Sequence, residues 1–150
     1  MTNTPDSNAE AGFLGKGMAL FPFAMKGGTV AMNSYEDQVE QSIRLILKTE
    51  RGERVMRPDF GAGMEFLAFE PLNAVTLALV RERVSEALLR FEPRIDLLAV
   101  AFESGELAVA VESGEDQQGR CLLVSIAYRI RRTNTEKNLV YPFYLERGEA

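Results

Sequence analysis

Histidine is absent from all 150 residues, which removes Ser-His-Asp and Cys-His catalysis, imidazole metal ligation and any histidine proton shuttle. Cysteine is almost as scarce. Cys121 stands alone, so no intramolecular disulfide can form, and its place in an apolar run reads as a buried, inert thiol in a chain made and folded in a reducing cytoplasm. No window holds the roughly 18 apolar residues of a membrane-spanning helix. Residues 1–12 lack the basic region and apolar stretch of a secretory signal, so membrane insertion is not expected. Basic residues are dispersed among acidic ones at a net charge of −5. The densest basic group, Arg129, Arg131 and Arg132, is too short for an arm that tracks a phosphate backbone and reads as a solvated strand edge. A nucleic-acid partner is not expected. Gly12, Gly15, Gly17 and the Gly61-Ala62-Gly63 turn lack the strand-to-helix context and the following Lys-Ser/Thr of a phosphate loop. No cofactor and no metal are expected.

What remains is ordinary globular material: 46% hydrophobic and 26% charged residues, enough for a single core. Residues 1–16 are small and polar and read as a flexible arm, leaving one domain over 17–150. Met18 to Phe23, followed by Lys26-Gly27-Gly28, reads as an apolar segment that docks without regular structure. Ser34 and Asp37 have the spacing of a helix cap and its partner, and Val39, Ile43, Ile46 and Leu47 recur at helical intervals. These signals predict a first helix over about 35–48, with Gly52 as its stop and an extended connector from Glu53 to Met56. Pro58 to Gly63 is turn-rich. Asn73 can cap a second helix with Leu77, Val80, Val84, Ala87, Leu88 and Phe91 inward and Glu86–Arg90 as a surface pair, ended by Pro93. Four strands follow: Ile95–Phe102 and Leu107–Val111 joined by a Ser104-Gly105 hairpin, then, after a polar 113–119 loop, Leu122–Ile130, and Leu139–Leu145 beyond a 133–138 turn. Val124, Ile126, Tyr128 and Ile130 share one face, and burying it under two helices gives an α+β two-layer domain on a mostly antiparallel sheet.

Two carboxylates at the right separation could hydrolyse a glycosidic bond, and acids are plentiful. Glu92 and Asp96, however, flank Arg94 at a helix end and read as a surface ion pair with it. No apolar pocket that would raise a carboxyl's pKa is visible in the sequence.

Phe91-Glu92-Pro93-Arg94-Ile95, set between an amphipathic helix and a β-run, resembles the signature of the baseplate wedge or sheath-initiator family of contractile phage tails, type VI secretion baseplates and extracellular contractile injection systems. Further blocks follow in family order: Gln41-Ser42-Ile43, Leu47 through Thr49-Glu50-Arg51-Gly52-Glu53-Arg54 to Met56, Pro58-Asp59-Phe60-Gly61, and Tyr128-Arg129-Ile130 with Thr133-Asn134. Phe21-Pro22-Phe23 resembles the family's N-terminal apolar hook. The resemblance covers about 17–145, whereas residues 1–16 and Tyr141 to Leu145 depart from it. It implies a structural, non-enzymatic baseplate component, present in six copies, that links the wedge to the first sheath ring and templates sheath assembly by accepting a strand. It further implies that Glu92, Pro93 and Arg94 bind the helical core bundle of other wedge proteins. Val124, Ile126, Tyr128 and Ile130 would lie in the strand acceptor, and Phe21, Pro22 and Phe23 would form the docking hook. Partners would be sheath subunits and wedge proteins, with hub, spike and tube proteins nearby. The alternative of a different class is a lysozyme-like glycosidase that degrades peptidoglycan.

Overall fold

The computed structural model describes residues 15–20, 23, 25–109 and 117–145; the arm expected over 1–16 lies outside them except for Gly15 and Lys16. The segment before the first helix is regular, contrary to expectation. Strand β1 (Lys16–Met18) pairs antiparallel with β4 (Met32–Ser34), and between them β2 (Met25–Lys26) pairs with β3 (Thr29–Val30). Gly27 and Gly28 turn the inner hairpin with φ of 58° and 80°, the left-handed pair that two-residue hairpin loops require.

Helix α1 runs Glu36–Lys48 without the Ser34 cap. Ser34 is taken up in the ladder opposite Lys16, and Tyr35 stands at the cap position with φ 57° and no side-chain cap bond. Glu36 and Asp37 lie in the first turn, where their charges favour the positive end of the helix dipole. The helix stops at Thr49, earlier than Gly52: the Thr49 backbone N–H and hydroxyl both donate to the Leu45 carbonyl, at 3.1 and 2.7 Å. Residues 53–56 turn rather than extend, with Arg57 N–H on the Arg54 carbonyl. The chain then returns through the expected Pro58–Gly63 turn, and Ala62 N–H reaches back to the Ile46 carbonyl at 3.0 Å. Gly61, at φ 107°, lies so close to the Thr49 carbonyl that a Cβ would overlap it.

After a 3-10 turn at Glu65–Ala68 comes α2, Ala74–Phe91, and Asn73 caps it as expected by accepting Thr76 N–H at 2.9 Å. Val80, Val84, Ala87 and Leu88 are buried together with Thr76, while Leu77 and Phe91 are half-buried. Glu86 and Arg90 do not pair with each other: Glu86 holds Arg51 at 2.9 Å and Arg90 holds Asp59 at 2.7 Å. Both partners come from the loop after α1, which docks along α2.

The main sheet has three strands, with order β5 (Ile95–Val109), β6 (Gln117–Ile130), β7 (Thr135–Tyr144), all antiparallel. The expected Ser104-Gly105 hairpin does not form, because Ser104 faces Leu122 and Gly105 faces Cys121 in mid-ladder; two runs read as separate strands are one. Residues 117–119 of the expected loop belong to β6, and 113–116 lie outside the described residues. The turn before β7 is shorter than expected and closes at Asn134, φ 54°, whose N–H meets the Ile130 carbonyl at 2.8 Å. Leu122, Val124, Ile126, Tyr128 and Ile130 alternate into a core shared with Val39, Ile43, Leu47, Val80, Val84 and Leu88. The result is the expected α+β two-layer domain. Its central strand, however, is β6, paired on both sides. Val124, Ile126, Tyr128 and Ile130 therefore cannot accept a further strand, since their backbone groups are already used and their side chains are core.

Candidate interaction site

At the corner where α2 passes into β5, Glu92 is only 2% exposed. Its oxygens accept Arg94 Nε and Nη2, each at 2.6 Å. Such a two-pronged, charge-assisted contact is stronger and more directional than a single ion contact. The Glu92 carboxylate pushes the Arg94 guanidinium above its ordinary pKa, against an opposing effect of burial. Arg94 also donates to Ser42 Oγ of α1 at 3.0 Å, and its carbonyl accepts Arg131 N–H at 3.0 Å. The ion pair read from the sequence exists, but it is a buried brace rather than a surface pair. Asp96 takes no part in it and instead binds Arg131 and Arg129, at 2.7 and 3.5 Å. Pro93, between the braced residues, is exposed.

Among the described residues, the unpaired sheet edges are the outer sides of β5 and β7. Pro142, opposite Leu123 in β7, has no N–H to offer a new strand. Strand β5 has no proline, and its one irregularity is a register shift between Leu97 and Ala99.

Of the apolar hook, Phe21 and Pro22 lie outside the described residues, while Phe23 bridges to Leu20 and is 59% exposed. Gln41, which the sequence reading placed in a family block without giving it a role, ties this region to the domain. Its Oε1 accepts Leu20 N–H at 2.8 Å and the Asn33 amide at 2.7 Å, and its Nε2 donates to the Met18 carbonyl at 2.7 Å. Gln41 lies off the Val39-Ile43-Leu47 stripe, so helical periodicity carried no sign that α1 is covered on a second side.

A groove of about 610 Å³ opens between the end of α1 and β7, with Leu47, Tyr141 and Phe143 beside Glu50, Glu53 and Glu65 and the cationic Lys48 and Arg51. Burial raises the Glu50 pKa, against the pull of backbone N–H bonds from Glu65 and Met64. This is the partly apolar acid environment that the sequence did not reveal. Yet the Glu50 carboxylate is engaged as an acceptor of Glu65 N–H at 2.8 Å. Among the described residues, no cluster of three or more acids and thiols could hold a metal ion, and no helix is long and apolar enough to cross a membrane.

Baseplate wedge protein gp25 of Enterobacteria phage T4 is 34% identical over 62 residues, 41% of this chain, and the chain spans about half (47%) of that relative. A crystallised chain from Geobacter sulfurreducens, provisionally described as a tail lysozyme, is 45% identical with a TM-score of 0.62, over 84% of this chain and all of that one. A chain of the six-fold symmetrised anti-feeding prophage baseplate, solved by cryo-EM, is 25% identical with a TM-score of 0.60, over 94% of each. The family model for baseplate wedge protein gp25 matches residues 33–135, a stretch that holds α1, the loop with Gly61, the Glu92–Arg94 brace and the β5–β6 ladder. The chain belongs to the baseplate wedge protein gp25 family, a component of contractile tail-like systems.

Proposed function

We propose that the chain joins the baseplate wedge to the first ring of sheath subunits and starts sheath assembly by accepting a donated strand. The observation that carries this reading is the outer edge of β5, free of proline and unpaired among the described residues. An exposed edge invites pairing, and a partner that fills it gains main-chain hydrogen bonds for affinity and alternate side chains for register. Because N–H groups alternate between the two sides of a strand, a proline at Ala101 and one at Phe102 remove donors on opposite sides. One substitution breaks the β5–β6 ladder; the other removes only an edge donor and leaves the native circular dichroism. Baseplates carrying the folded variant should fail to nucleate sheath. Full-length sheaths at normal frequency would refute strand acceptance at β5.

In the same proposal, the exposed Pro93 at the braced corner docks against the helical core bundle of other wedge proteins, with Phe21-Pro22-Phe23 as a second hold and hub, spike and tube proteins as neighbours. Replacing Pro93 with Ser spares the Glu92–Arg94 brace, so a folded Pro93→Ser chain should be depleted from purified baseplates. Normal occupancy would remove the turn from the interface. The protein would be made in the cytoplasm and act without catalysis. The lysozyme-like alternative finds its best support in the Glu50 groove. Pure protein incubated with peptidoglycan should release no fragments above a blank, and release abolished by Glu50→Gln would overturn the non-enzymatic reading.

A further inference from the structure

The loop between α1 and the 3-10 turn carries side chains that neither the core nor the braced corner uses. Arg54 and Arg57 from this loop and Arg90 from the last turn of α2 gather around the rings of Phe60 and Phe91. The ring centroids are 4.9 Å apart and tilted by 47°. The Arg54 guanidinium lies 4.1 Å over Phe60, Arg57 is 5.8 Å from Phe91, and Arg90 is 5.2 Å from it. Asp59 is the carboxylate among them, 2.7 Å from Arg90 and 3.7 Å from Arg57. Three positive charges against one negative leave the group at +2 on a chain of net charge −5. At the crest of the same loop Val55 and Met56 are 89% and 91% exposed, and Met56 is held at φ 69°. Stacking of arginine on an aromatic face at a surface stabilises a fold locally and accounts for Arg54. It does not account for two adjacent solvent-exposed apolar side chains, one on a backbone conformation that is unfavourable without glycine.

We propose that this crest is a docking surface for an acidic segment of another baseplate protein, whose carboxylates bind the Arg54 and Arg57 guanidiniums while an apolar side chain covers Val55 and Met56. The proposal rests on the reading of the chain as a baseplate component, and adds a contact of stated chemistry to those proposed at β5, at Pro93 and at the N-terminal hook. Charge complementarity selects the occupant: guanidinium forks match carboxylates in planar, two-pronged fashion. A phosphate backbone carries no apolar side chain to cover the exposed Val55 and Met56, whereas an acidic peptide segment can supply both carboxylates and an apolar residue.

The test places a photo-crosslinking benzoylphenylalanine at position 55 of the full chain in particle-producing cells, with mass spectrometry of the crosslinked peptides from purified baseplates. The expected product is an Asp- and Glu-rich segment of another protein. Its yield should fall by about tenfold in an Arg54→Gln/Arg57→Gln background, the effect of removing two charge-assisted hydrogen bonds at a partly exposed surface. Crosslinks to a neutral or basic segment or to nucleic acid, no crosslink in baseplates that contain the chain, or a yield unaffected by the double substitution would each overturn the docking surface alone. Baseplates that lack even the unmodified chain would overturn the baseplate assignment and this surface with it.

Discussion

Replacing Arg94 with alanine removes a guanidinium that makes two 2.6 Å contacts to a carboxylate only 2% exposed. The Arg94 backbone N–H stays near Glu92, but at 3.4 Å it is too long to solvate a buried charge. Breaking a buried pair by deleting one partner typically costs about 3–5 kcal/mol, a large share of the roughly 5–15 kcal/mol that holds a domain folded. For a chain of this length that corresponds to a fall in Tm of roughly 6–20 °C. Removing both charges in Glu92→Leu/Arg94→Met should recover most of the loss, since apolar replacements of buried ion pairs are often neutral. Urea titration followed by circular dichroism measures both variants on one scale, with unchanged slopes expected. A loss below about 1 kcal/mol for Arg94→Ala, or a double variant as unstable as the single one, would refute the brace. The magnitude also bears on docking experiments: an Arg94→Ala chain missing from baseplates is as well explained by unfolding as by a broken interface, which is why Pro93 is the cleaner probe.

Gln41→Leu should cost about 2–3 kcal/mol by orphaning Leu20 N–H and the Met18 carbonyl, and hydrogen exchange should accelerate across 16–34 while β6 amides stay protected; uniform acceleration would show that Gln41 does not act as a local clamp. Gly61→Ala should lose about 3 kcal/mol or more, because a positive φ and backbone overlap combine, whereas Gly52→Ala, at φ 88° with open space around it, should lose only about 1 kcal/mol; equal losses by thermal denaturation would contradict the close approach to Thr49. Burial raises the Glu50 pKa, so the ionised carboxylate disfavours the folded state above that pKa and the penalty vanishes below the unfolded value near 4.5. Glu50→Gln should therefore be slightly more stable than wild type at neutral pH, by no more than about 0.5 kcal/mol for a partly exposed group, with the difference closing as pH falls through that range; a Tm gap that widens on acidification would reverse the sign.

What could be read from the sequence is what local chemistry decides. Asn73 caps α2 because cap and recipient lie three residues apart, and the alternation of Val124, Ile126, Tyr128 and Ile130 is visible in the chain itself. Failures arose where a distant partner outcompeted a local preference. Ser34 has a cap's spacing, but pairing with Lys16 claims it; Ser104-Gly105 has turn chemistry, but Leu122 and Cys121 hold it in a ladder. Glu86 and Arg90 sit at pairing distance on one helix, yet Arg51 and Asp59 reach them first from a loop whose path no periodicity reveals. The Glu92–Arg94 contact was legible as a pair, but its burial was not, because Ser42 and Arg131 approach from 52 and 37 residues away along the chain.

The corner at Glu92–Arg94 also has a mechanical reading. Strand β5 begins one residue after Arg94, so tension along that strand arrives directly at the corner. A pull parallel to the strands loads the β5–β6 hydrogen bonds together rather than one at a time, a shear geometry in which the ladder itself gives last. The force leaves the sheet through Arg94: one path runs by Ser42 into α1, another by the Glu92 carboxylate into the end of α2, and a third by the Arg131 N–H into the turn before β7. A load applied to one strand is thereby divided among both helices and the turn before β7.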